Sequence, residues 1–309
     1  MGAALRVEVG PLRSIVGAGR KSFVIPVTSR FEPSMSSVFT TVRQGCKLAY
    51  RVRGNGPPVL FIQGVNAHGD GWNPQVDGLA GQYTCLTFDN RGTGGSERGA
   101  EPITVEQMAG DAGAVLDAAG WESAHVVGHS LGGPIGIQLA LTERKRVRSL
   151  ALLCSFADGK GVGPLSWRLI SAGLRMKLGT KRMKRRAFLE LVTPPGSTRD
   201  PDALAARLAP LFGHDLAERP PVVKDQMKAM RAYDATARLG ELAGLPTLVA
   251  SAEHDPIAPP KLGRVLADGL PGAKYIELDG ASHGVILTEP GRGNALLAGH
   301  FAATGAMAE

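Results

Sequence analysis

From residue 38 onward, short runs rich in Val, Ile and Leu alternate with longer stretches of helical periodicity, and no other feature limits the folds open to this chain so strongly. The runs fall at 38–42, 46–52, 58–62, 83–88, 123–127, 147–154, 246–252 and 273–278. The first two alternate in polarity. The others are nearly unbroken in apolar character, as burial on both faces of a parallel sheet requires. The expected architecture is α/β: a mostly parallel, twisted sheet of about eight strands with helices on both faces.

The alternation breaks once. Residues 155–239 stay helical in pattern and are punctuated by Pro164, Pro194, Pro195, Pro210, Pro220 and Pro221. So long an excursion does not remain a structureless loop. A helical cap inserted between core strands is therefore expected over 155–239, with 37–154 and 240–309 forming the core. Residues 1–36 hold Arg6, Arg13, Arg20, Lys21 and Arg30 against Glu8 and Glu32, and lack the compact apolar centre of a secretory signal. They read as a flexible N-terminal extension, a transit peptide being the other reading.

Apolar residues at 43% and charged residues at 20% describe a chain able to bury a sizeable core rather than a disordered one. No stretch reaches the roughly 18 consecutive apolar residues of a membrane span. Cys46, Cys85 and Cys154 are odd in number and widely spaced, so neither a disulfide framework nor a metal or redox pair is implied. They read as small core residues in a reducing, cytoplasmic compartment; no metal and no cofactor is expected. The net charge of +7 is concentrated: Arg168, Arg175, Lys177, Lys181, Arg182, Lys184, Arg185 and Arg186 occur with no acidic residue among them. Nucleic acid is not expected as a partner. The run reads first as a solvated helix face and second as a weak contact for an anionic surface. Nothing in the pattern specifies an oligomer.

The chemistry centres on Gly128-His129-Ser130-Leu131-Gly132-Gly133, which follows the apolar run at 123–127 and opens the amphipathic stretch PIGIQLALTER. A serine on a tight strand-to-helix turn is presented outward, and flanking glycines are needed where the two backbones pass closely. The Leu131 amide then points at the oxygen that becomes negative when the serine attacks a carbonyl. Serine needs a base. Of His214, His254, His283 and His300, only His283 sits in a loop directly after a strand, in DGASHG. Asp255, at the carboxyl end of the strand in PTLVASAEH, is the expected acid that orients the imidazole; Asp158 is its rival, and Asp279 reads as loop scaffold. The turn Gln63-Gly64-Val65 is expected to supply the second oxyanion donor through the Val65 amide, with Gly64 allowing the turn. Trp72 reads either as pocket wall or as core.

With these residues in place the chain resembles the α/β-hydrolase superfamily, in the branch of small esterases, lactonases, thioesterases and cofactor-free haloperoxidase-like enzymes. The likeness runs from about Val38 to the C-terminus, on FIQG, FDNRGTGGS, GHSLGG, SAEHDPIAPP and ASHG, in the order Ser, Asp, His. It implies a cap between the sixth and seventh strands and a structural role for the Asp89-Asn90-Arg91-Gly92 turn. Gln63-Gly64 departs from the His-Gly common among relatives. The expected activity is hydrolysis of a carboxylic ester, lactone or thioester through an acyl-enzyme on Ser130. Alternatives are a cofactor-free C–C hydrolase, a haloperoxidase or perhydrolase-like enzyme, and a ligand receptor with little turnover. The apolar cap residues Leu165, Trp167, Leu169, Ile170, Leu174, Phe188, Leu191 and Phe212 are expected to face a medium-sized acyl or lactone substrate.

Overall fold

The computed structural model describes residues 37–163, 166–197 and 200–305; the expectations for residues 1–36 and for Leu165 lie outside them. At the start of the sheet, Gln44 and Gly45 take φ values of 51° and 70°. Two successive positive φ values match a hairpin turn to the twist of its strands. They fold β1 (Val38–Arg43) back on β2 (Cys46–Gly54), with Arg43 opposite Cys46. The remaining strands are β3 (Pro58–Ile62), β4 (Thr84–Phe88), β5 (Ala124–His129), β6 (Val147–Leu153), β7 (Thr247–Ala252) and β8 (Lys274–Leu278). All eight expected runs form strands. They lie in the order β1-β2-β4-β3-β5-β6-β7-β8. The β1–β2 and β2–β4 pairs are antiparallel and every later pair is parallel.

The strand period of two sorts side chains onto two faces. Leu60, Ile62, Val126, Leu150 and Leu152 join one apolar cluster with residues of α2 (Val105–Ala118) and α3 (Gly132–Thr142). Val59, Phe61, Val127, Ala151 and Leu153 join the other, with residues of α1 (Asn73–Leu79). Between β6 and β7 come α4 (Trp167–Leu178), α5 (Lys181–Val192), α6 (Pro201–Phe212) and α7 (Val222–Ala232). Their starts follow local chemistry: Ser166, Thr180 and Asp200 accept from the amides of Leu169, Met183 and Ala203, satisfying donors that a helix start leaves unpaired. Leu189, Leu208 and Phe212 of this excursion join the second cluster, whereas Val222 and Met230 join the first, so the four helices straddle both faces. The chain closes with α8 (Pro260–Gly269), α9 (Val285–Thr288) and α10 (Pro290–Gly305). No helix among the described residues is long and apolar enough to cross a membrane.

The strand order reverses between β3 and β5. An open parallel sheet leaves a crevice at the carboxyl ends there, because successive connections depart in opposite directions. Gly64, Ser130 and His283 all line one cavity in that region.

Candidate active site

Ser130 is reached directly from β5 and holds φ at 53°, a left-handed conformation that a residue with a Cβ adopts only under strain. Its neighbours permit this. A Cβ on Gly128 would lie 2.3 Å from the Gly132 carbonyl oxygen, and one on Gly132 would lie 2.1 Å from that of Ile62, so only glycine fits at either position. The turn is pinned to the adjacent strand: the Ser130 amide donates to the Leu153 carbonyl at 3.0 Å, and the Ser155 hydroxyl donates to the Ser130 carbonyl at 3.0 Å. Leu131 follows as the residue capping the N-terminus of α3.

Asp255 and His283 arrive from the next two strands of the sheet. The Asp255 carboxylate is held at both oxygens. Oδ1 accepts from the amides of Ile257 and Ala258 at 2.8 and 2.9 Å, and Oδ2 lies 2.7 Å from His283 Nδ1. Both side chains are buried, yet His283 and Ser130 line the same cavity. The His283 carbonyl accepts from His129 Nε2 at 2.8 Å, and the Gly284 amide donates to the Val192 carbonyl at the end of α5. The loop bearing the imidazole is thus fastened from both sides. Burial, with the facing His283 ring adding to it, pushes His129 down to about 3, so it remains neutral.

The other candidates lie elsewhere. Asp158 accepts from the Lys160 amide and pairs by backbone with Asp234. Asp279 is exposed, its carbonyl taking a bond from Arg292. His254 lies 3.9 Å from Glu253, and His300 is carried on α10. All three cysteines are buried. Burial and then the Asp255 carboxylate push the Cys154 thiol well up, so it stays protonated. The donor atoms of Cys154, His129 and His283 fall within 4.8 Å of one another. All three side chains are buried, and the His129 Nε2 is already engaged with the His283 carbonyl.

The loop after β3 departs from expectation in one respect. Gly64 does not take positive φ; the left-handed residue is Asn66, at 64°. Gly64 instead passes close to the turn after β5: a Cβ there would lie 3.0 Å from the Ser130 Cβ and 3.2 Å from the His129 carbonyl oxygen. Neither the Val65 nor the Leu131 amide donates to a protein acceptor among the described residues. Gln63 is buried, and its carbonyl accepts from Asn90 Nδ2 at 3.0 Å. The turn after β4 therefore braces the loop after β3, while Asp89 takes the Gly69 and Gly95 amides and Arg91 pairs with Asp111. The structural reading of this turn agrees.

Two supports escaped the sequence. Gln226 on α7 accepts from the Asn66 amide at 3.0 Å, and His214 Nε2 lies 3.0 Å from Asn66 Oδ1. A Gly-Val-Asn-Ala segment signals a turn, but nothing local names its partners about 150 residues away in the excursion.

Above these groups lies a cavity of about 490 Å³, walled by Ser130, His283 and Val65 below and by Leu169, Phe188, Leu191 and Phe212 of the excursion. The expectation for Trp167 and Leu174 is corrected: they are 82% and 58% exposed and do not line it. Their positions on α4 fall opposite Leu169 and Met176, which do. Trp72 is wholly buried against Phe61 and presents an edge to His129, so it belongs to the core.

A hydroxyl on a strained turn and an imidazole held by a carboxylate, both lining one largely apolar cavity, are parts that acyl transfer requires. Known proteins share this fold. Residues 57–290 match the family model described as alpha/beta hydrolase fold. A protein named as the carbamate hydrolase RutD in Azorhizobium caulinodans is 32% identical over 252 residues, spanning 82% of this chain and 94% of that one. The enol-lactonase from Burkholderia xenovorans LB400 superposes with a TM-score of 0.72 at 27% identity, covering 85% of this chain and 99% of that one. Est816, described as an N-acyl homoserine lactone degrading enzyme, gives 0.71 at 28%, covering 84% and 99%. Sheet order, the turn after β5 and these matches agree, and the chain belongs to the α/β-hydrolase family.

Proposed function

We propose that this hydrolase cleaves a carboxylic ester, lactone or thioester with Ser130 as nucleophile. The observation that carries the reading is the strained Ser130 turn, at φ 53°, opening on the same cavity as an imidazole whose far nitrogen is 2.7 Å from a doubly anchored carboxylate. Asp255 keeps the proton on Nδ1 of His283, which leaves Nε2 free to take the Ser130 proton as Oγ bonds to the carbonyl carbon. The oxygen that gains charge is met by the Val65 and Leu131 amides, the latter at the positive end of α3. The imidazolium then returns its proton to the departing alcohol or thiol, and water, deprotonated by the same imidazole, releases the acid.

The excursion 155–239 acts in this reading as the cap that selects substrate. Leu169, Phe188, Leu191 and Phe212 favour a medium-sized apolar acyl group or lactone. A carbamate, the substrate class in the name of one relative, offers a carbonyl carbon to the same attack and belongs in the substrate screen. Treatment with a fluorophosphonate should label the chain at Ser130, and Ser130→Ala should remove the label. A screen of esters, lactones and thioesters should then show turnover that depends on acyl length. Folded protein that takes no label would overturn the serine mechanism, and labelling without turnover would favour a ligand receptor.

A further inference from the structure

The solvent-exposed residues of α4 form an apolar surface. Trp167, Ile170, Leu174 and Leu178 are 82%, 44%, 58% and 73% exposed. At about 100° per helical residue they fall within an arc of roughly 80°. They therefore make one continuous apolar ridge, extended by Met183 at the start of α5, which is 44% exposed. Isolated exposed apolar residues are ordinary; a ridge that includes a tryptophan is a contact surface awaiting a partner.

Charge identifies that partner. Arg168 and Arg175 emerge along one flank of the ridge, and Lys177 along the other, with Lys181, Arg182, Lys184, Arg185 and Arg186 following on α5. Salt bridges tie Arg175 to Glu190, Arg182 to Asp202 and Arg185 to Asp215. Lys177, Lys181 and Arg186 make no salt bridge among the described residues and are exposed. Along α4 and the start of α5, eight cations thus meet three carboxylates, with Lys184 turned to the cavity. A second copy placed on the ridge in a two-fold contact would press like charges together. A nucleic acid would satisfy the cations but leave the apolar side chains in water. An anionic bilayer satisfies both, because its headgroups pair with Lys and Arg while Trp and Leu enter the acyl boundary.

We infer that α4 and the start of α5 form a docking surface for a bilayer carrying anionic lipid headgroups. Ile170 belongs both to the ridge and to the cavity lining, so the docked face adjoins one wall of the cavity. Docking itself requires no assumption about the chemistry at Ser130.

Trp167 supplies the readout. Of the other tryptophans, Trp72 is wholly buried and Trp121 packs partly buried against the core. Full-length protein mixed with vesicles of phosphatidylglycerol and phosphatidylcholine should sediment with them, and its emission should shift to the blue. Pure phosphatidylcholine vesicles should do neither. The shift should vanish in Trp167→Tyr. Leu174→Gln combined with Leu178→Gln should weaken binding by roughly ten-fold or more, with the thermal midpoint unchanged because both side chains are exposed. About 0.5 M salt should weaken it similarly. Equal binding to neutral vesicles, or unaltered binding by the Leu174→Gln, Leu178→Gln protein, overturns the proposal. So does light scattering that finds a stable dimer which this double substitution splits, since a second copy then occupies the ridge.

Discussion

Asp255 uses its two oxygens for different partners, and that division makes a sharp test. In Asp255→Asn the retained oxygen still accepts from Ile257 and Ala258. The new amide group, however, can only donate toward His283 Nδ1, which moves the imidazole proton to the nitrogen that must face Ser130. With an unchanged fold, kcat on an ester should fall by about 10⁴-fold, measured against wild type under saturating substrate. Gly132→Ala acts through space instead: its Cβ would lie 2.1 Å from backbone at Ile62, and backbone cannot step aside as a side chain end can. A loss of about 3 kcal/mol or more in urea unfolding is expected. Residues of this kind are legible in sequence because their cause is local: a serine between close-set glycines, an acid and a histidine just past strand ends. Gln226 is not, since its reason for being buried is an amide 160 positions away.

Among the elements, the eight strands are legible because burial on two faces demands a composition that little else in the chain shares. Their order in the sheet is not, because it depends on which helices cross which face. The same limit applies to the excursion. Its helical period predicts α4, yet only the fold decides that Leu169 and Met176 face the cavity while Trp167 and Leu174 face outward. The link from α7 to the Asn66 amide gives the excursion a second duty, steadying the loop that carries Val65. Gln226→Met keeps the bulk and removes the acceptor. It should cost about 1 kcal/mol of stability and lower kcat several-fold, with KM less affected, in steady-state assays on a soluble ester.

For the molecule as a whole, buried histidines tie stability to pH. Burial pushes His125 and His300 down to about 4 and His129 to about 3, from an ordinary 6.5. Below pH 6.5 the unfolded chain takes up protons that the folded one refuses, so stability is complete above that value and drains away as pH falls toward 4. His129 alone accounts for about 2 kcal/mol at pH 5, and the His125 and His300 rings add to it in the same direction. The urea midpoint should therefore be lower at pH 5 than at pH 7.5. The position of the excursion between β6 and β7 has a consequence in time. It parts Ser130 from Asp255 and His283, so a chain emerging from the ribosome displays residue 130 well before residue 283 exists outside the exit tunnel. Nascent chains stalled before His283 emerges should ignore a fluorophosphonate that marks the released protein, which means that the growing polypeptide passes through synthesis chemically silent.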